Sequence, residues 1–218
     1  VRLLVQPQVI RTAIVATFIT ALACLPRLMV WPGRPYQLML MWLVLAWAAF
    51  VMWSFVFAWH APYSEAQPFR IKRDPNLWIT ATLCGIAGSF FLRLVIDPTL
   101  RSVTPQDYPA TRGAWVAMSL FVLAFDQLFL CFAPFAFFVR LIRSPKAAAV
   151  LTVVFGVFLA WLKLRRIPDG FSDIFLIEVF GWRLLAGSLS VYFLIRGGVW
   201  LTLWWVALLQ LRHMIDLW

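Results

Sequence analysis

GAWVAMSLFVLAFDQLFLCFAPFAFFV, residues 113–139, is the stretch that decides the fold. Asp126 is its only charged residue, and continued to Leu141 the run rises about 43 Å as a helix, more than the roughly 30 Å hydrocarbon core of a bilayer. It is a membrane helix. An ionised carboxylate at that depth is costly unless it is paired, hydrated or neutralised, so Asp126 is the first residue to suspect of function. Pro134, two turns further on, removes a backbone donor and crowds the turn before it, which predicts a kink.

The rest of the chain has the same character. Of 218 residues, 63% are hydrophobic and 13% charged, where soluble domains carry roughly 25% charged residues. The longest polar stretch, about His60 to Asn76, is too short for a soluble domain, so residues 1–218 read as one integral membrane helical domain. Net charge is +10, with the basic residues spread over loops and helix ends. That distribution suits contact with anionic lipids and offers nothing to nucleic acid, since no basic face is interleaved with exposed aromatics. Among 13 Trp residues, Trp31, Trp59, Trp78, Trp115, Trp182, Trp200 and Trp218 fall near predicted helix ends, as an interfacial aromatic belt would. The alternative use of such side chains is to line a site for a bound lipid, quinone or pigment; no cofactor is predicted outright. Cys24, Cys84 and Cys131 lie in apolar segments without CxxC spacing and read as small buried hydrophobes. The first apolar run reads as a retained helix, not a cleaved leader.

The fold class is all-α, a polytopic bundle of about seven spans within a range of six to eight. The expected spans are Val9–Leu25 (or onward to the turn Pro32–Gly33), Tyr36–Trp59, Leu77–Ile96, Gly113–Leu141, Lys146–Leu164, Asp173–Ile195 and Val199–Ile215. Ser144-Pro145 has the form of an N-cap followed by proline at the first helical position, and Gly197-Gly198 separates the last two spans. Segments 60–76, 97–112 and 165–173 read as loops. Nine basic residues fall on the N-terminal side, among them Arg2, Arg70, Lys72 and Arg73, and eight on the other, among them Arg166. So even a split gives the positive-inside rule little to act on; the expected placement is a bacterial inner membrane with a cytoplasmic N-terminus.

The intramembrane polar set is Asp126 and Gln127, Arg93, Glu178 and Arg183, then Gln210, Arg212 and His213. The structural expectation is that Asp126 is paired across the bundle with Arg183 or Arg93, and that Glu178 is an interfacial structural carboxylate. Metal chemistry is not expected, because the two histidines, His60 and His213, end different spans and no HExxH is present. Ser188 and Ser190 lack a histidine partner in a later span. With Gly181 and Gly187 they read as a close helix-contact face.

Residues 113–218 resemble the CAAX protease and bacteriocin-processing family (CPBP, Abi). That family has a helix bearing EExxxR, a next helix with FxxxH, and a last helix with HxxxN or HxxxD after a phrase like YLRTGSLW. Here the first motif aligns as Asp126, Gln127 and Cys131, and YFLIRGGVW (192–200) stands for the phrase. The resemblance implies an intramembrane protease fold in which paired glutamates and two histidines activate water. Those residues are replaced: position 127 has lost its acid, Cys131 stands for the arginine, Leu159 or Leu162 falls where the first histidine belongs, and Val206–Gln210 contains none. Water activation needs a positioned base and oxyanion stabilisation, and Asp126 alone does not supply both.

The expected function is therefore non-catalytic: an accessory or structural subunit of a larger membrane complex, respiratory or photosynthetic in type. It would dock other subunits and anionic lipids through its Trp- and Phe-rich faces and basic loops. One alternative is a divergent protease in which Asp126 still works, with Gln127 the other candidate catalytic residue. Another is a small transporter with Asp126 and Arg183 in a polar path, although the halves show no internal repeat.

Overall fold

A computed structural model describes residues 3–30, 34–64, 67–69, 71, 74–165 and 171–217. Trp31, Trp218, the Pro32–Gly33 turn, Arg2, Arg70, Lys72, Arg73, Arg166 and residues 167–170 of one expected loop lie outside these. Among the described residues, six helices are long and apolar enough to cross a membrane: α1 Pro7–Met29, α2 Pro35–Ser64, α3 Pro75–Val103, α4 Arg112–Ile142, α5 Pro145–Leu164 and α6 Asp173–His213. Four open on proline, whose fixed φ suits the first helical position and whose missing N–H costs nothing there. The other two open behind side-chain caps, Thr111 accepting from the Ala114 amide and Ser172 from the Phe175 amide. Ser144 caps α5 as expected, accepting from the Ala147 amide at 3.4 Å.

Prolines inside helices explain where the sequence reading stopped too early. Segments 61–64 and 97–103, expected as loop, are helical, and each carries a proline at its second position. The ladder survives because it widens into a π turn just before: Val56–His60 ahead of Pro62, Leu92–Ile96 ahead of Pro98 and Leu128–Phe132 ahead of Pro134. An i→i−5 bond accommodates an extra residue where the proline ring would strike a carbonyl and no N–H is available. The kink expected at Pro134 is thus met by a local change of helix type. A fourth π turn, Val122–Asp126, has no proline after it and ends on the carboxylate itself.

The last helix is two antiparallel limbs, 173–197 and 199–213, joined at Gly198. Gly198 has φ 78° and ψ −171°, a conformation open essentially to glycine alone. Beyond it the chain doubles back. The Trp205 indole donates to Ser190 Oγ at 3.1 Å, and the Phe193 and Trp205 rings lie 5.8 Å apart. In a straight helix residues 190 and 205 would be about 22 Å apart. The Val199 amide, freed at the turn, donates to the carbonyl of Pro68 in the neighbouring loop at 2.7 Å. Helical residues 199–210 span only about 18 Å, short of the hydrocarbon core. They run through the bundle's interior, with Leu201, Thr202, Trp205, Val206 and Leu209 buried.

Small residues set the closest approach, but not the ones the sequence pointed to. A Cβ on Gly88 of α3 would lie 2.6 Å from the Trp182 ring and 2.8 Å from Leu209, and one on Gly85 would lie 2.7 Å from Leu208. Gly187 has only ordinary contact with Val153, Gly181 faces open space, and Ser188 is exposed. Trp is used as a cross-tie as much as a belt. Indole N–H groups of Trp42, Trp53, Trp115 and Trp204 donate to Ala21 O, Thr20 Oγ1, Gln210 O and Thr82 Oγ1 on other helices. In a medium without water each such donor needs an internal acceptor. Outward faces carry Phe18, Trp47, Leu83, Leu94 and Ile177, as lipid contact requires.

Candidate functional site

The π turn at 122–126 and the buried ridge of Leu128, Cys131, Phe132 and Phe135 orient α4. That ridge faces the core, which leaves Asp126 and Gln127 on the wall of a cavity of about 320 Å³ between α3, α4, α5 and both limbs of α6. At about 30 Å³ per molecule the space would hold roughly ten waters. Its polar lining includes Asp97, Asp107, Tyr108, Lys163, Arg183 and Arg212, with Thr152, Ser190 and His213. The chain ends that meet there, those of α3, α5 and α6 and the start of α4, place one end of the cavity at the membrane face opposite the N-terminus.

At that end the charges are closed pairs. Arg212 Nε donates to Asp97 Oδ2 at 3.0 Å, both side chains being largely buried, and Tyr108 OH donates to Asp97 Oδ1 at 3.0 Å. Arg212 Nη1 also donates to the Leu209 carbonyl, and Arg93 Nη1 to the Arg212 carbonyl at 3.0 Å. His213 lies edge-on to the Tyr108 ring, and Arg101 lies over it. At the rim Lys163 meets Asp107 at 2.8 Å.

Deeper in, the arrangement changes. Among the six charged lining residues, Asp97–Arg212 and Asp107–Lys163 are joined, and Asp126 and Arg183 are left over. Among the described residues neither of these two makes an ion pair or hydrogen bond. Arg183 keeps much of its surface accessible and is among the residues that line the cavity. Gln127 is only 9% exposed, and its Oε1 has no hydrogen-bond partner.

Sequence reasoning thus singled out Asp126, Gln127 and Arg183, which the fold brings to one cavity. Arg93 donates to the Arg212 carbonyl at the C-terminal end of α6. Glu178 is half-buried on the first limb of α6, outside the cavity lining. Asp97 and Tyr108 were passed over as loop residues; the only local signal was the Asp-Pro step at 97–98. Ser190 accepts the Trp205 N–H, and Ser188 donates to the Leu184 carbonyl at 2.7 Å. His60 is buried against Phe135 at the opposite end of the bundle from His213. The three cysteines are free thiols, two of them buried. Among the described residues no group of three His, Cys, Asp or Glu side chains is placed to hold a metal ion.

Tyr108 lies outside the membrane spans, and burial pushes its phenol up from its ordinary value, with the adjacent Asp97 carboxylate adding to the effect against Arg212 and Arg101. The folded protein therefore holds this proton more tightly than the unfolded chain. Its contribution to stability is complete below about pH 10 and is lost as pH rises beyond, because the unfolded chain then releases the proton first. The unfolding midpoint should fall as pH rises above about 10 in the native protein, and less steeply in Tyr108→Phe.

No protein-family model matches the chain, and no curated protein or solved structure matches it either, so the reading of the site rests on its geometry.

Proposed function

We propose that this protein is a non-catalytic membrane protein that holds a small polar ligand or lipid headgroup inside its helix bundle. The observation that carries this is the open pair: Asp126 and Arg183 face one cavity within the membrane and do not touch. Holding two opposite charges at membrane depth without joining them is costly for a bilayer protein, and the cost is relieved when water or a ligand of complementary charge lies between them. A closed ion pair would have served a purely structural role.

A hydrolytic role would need a base and an oxyanion donor converging on one water, and no carboxylate or imidazole touches Asp126 among the described residues. The accessory-subunit role is compatible with a ligand site, but the outward apolar faces are those that lipid alone would cover, so they do not by themselves call for protein neighbours. Basic loops add contacts with anionic headgroups at the surface.

The test is retention. Protein extracted in mild detergent and weighed intact by native mass spectrometry is expected to carry a bound small molecule or lipid that Arg183→Gln releases. Equal retention by both, or none by the native protein, would sink the reading.

A further inference from the structure

The charges at the two walls of the cavity say what kind of ligand would fit, a deepening that rests on the reading just given. Asp126 offers a carboxylate, and Gln127, the next residue, offers a buried Oε1 that nothing satisfies. The carboxylate is a charged acceptor at the cavity wall, so this wall calls for a cation with N–H donors, while the Gln127 oxygen is sealed beside it. Arg183 offers the opposite: a planar guanidinium with five donors in a fork that matches a phosphate or carboxylate. Of the remaining lining charges, Asp97 and Arg212 are joined in a buried pair, and Asp107 and Lys163 meet at the exposed rim. A simple anion would satisfy Arg183 and face Asp126 with like charge; a simple cation would do the reverse.

We infer that the cavity binds a primary-ammonium zwitterion, its ammonium on Asp126 and its phosphate or carboxylate on Arg183. A quaternary ammonium is a poorer fit, because it brings charge but no N–H to the carboxylate. Such a zwitterion comes either free in solution or as the headgroup of an aminophospholipid. An apolar groove on the outward side of α5 and α6, lined by Val157, Ile177, Phe180 and Leu184, lies on the same two helices and suits an acyl chain.

The experiment uses full-length protein in detergent, with thermal unfolding and direct titration as readouts. The probes are dihexanoyl lipids carrying ethanolamine, choline or glycerol headgroups, and free phosphoethanolamine. The ethanolamine lipid is expected to bind on the order of tenfold more tightly than the other two, since each lacks either the N–H donors or the cation. Asp126→Asn and Arg183→Gln are each expected to remove that preference, and Asp126→Glu to keep it. Binding of the lipid but not of free phosphoethanolamine assigns the membrane as the source, and competition by the free compound at equal strength assigns a soluble zwitterion; both support the charge assignment.

If the glycerol lipid binds as tightly as the ethanolamine lipid and Asp126→Asn changes nothing, the zwitterion is wrong while a ligand cavity centred on Arg183 stands. If no probe binds the native protein, the zwitterion falls; if nothing is retained in native mass spectrometry either, the ligand reading falls with it. The headgroup preference of the native protein tests the assignment even where a variant fails to fold.

Discussion

Asp97→Ala is expected to lower the free energy of unfolding by about 3–5 kcal/mol, the usual effect of removing one member of a buried ion pair. Arg212 is joined to Asp97 at 3.0 Å with both side chains largely buried, and Tyr108 OH donates to the other carboxylate oxygen. Truncation therefore strands a guanidinium and a phenol together. The lost stability belongs mostly to the orphaned Arg212, so the double variant Asp97→Ala/Arg212→Met should recover most of it, with a coupling of about 1–3 kcal/mol between the two sites. Thermal or denaturant unfolding in detergent measures all three variants. Equal loss in the double variant and in Asp97→Ala alone would show that the pair does not hold this end of the bundle.

Gly198→Val is the second large effect, of about 3 kcal/mol or more. At φ 78° and ψ −171° a branched Cβ meets the backbone on both sides, and the strain of a non-glycine residue in such regions is about 1–3 kcal/mol before packing is counted. Here the packing adds to it, because the turn places Trp205 on Ser190 and gives the Val199 amide to Pro68. The expected result is loss of the folded bundle, read as protease sensitivity within 190–210 in reconstituted protein. Gly197→Ala keeps helical φ/ψ and so lacks the backbone strain, but its Cβ would meet the buried Leu201 side chain, including the Leu201 Cβ at 2.8 Å, so it should be destabilising through packing alone. A stable, protease-resistant Gly198→Val protein would mean the two limbs do not depend on this turn.

Much of the architecture was readable because membrane insertion imposes simple rules. Uncharged runs of sufficient length had to be helices, Ser144-Pro145 had to begin one, and Gly197-Gly198 had to end one. Where the reading fell short, the cause was local: Pro62 and Pro98 looked like helix stops, and π turns carried the ladder past them. The small-residue face was misplaced for a different reason. Gly85 and Gly88 matter because Trp182, Leu208 and Leu209 press on them, and those contacts come from both limbs of a helix more than 90 residues away.

Asp126 shows the division most clearly. Its intramembrane position, and the cost of a charge there, follow from the residues alone, and so does the short set of cations that could answer it. Which of those would close on a carboxylate did not follow. The fold joins Arg212 to Asp97 across 115 positions of sequence and leaves Arg183 facing Asp126 over a cavity. Hydropathy and spacing act along the chain and settle which segments enter the membrane. Whether two charges meet or stay apart depends on the angle and separation at which helices pack, and those are set by distant contacts such as Gly88 against Trp182 and the turn at Gly198.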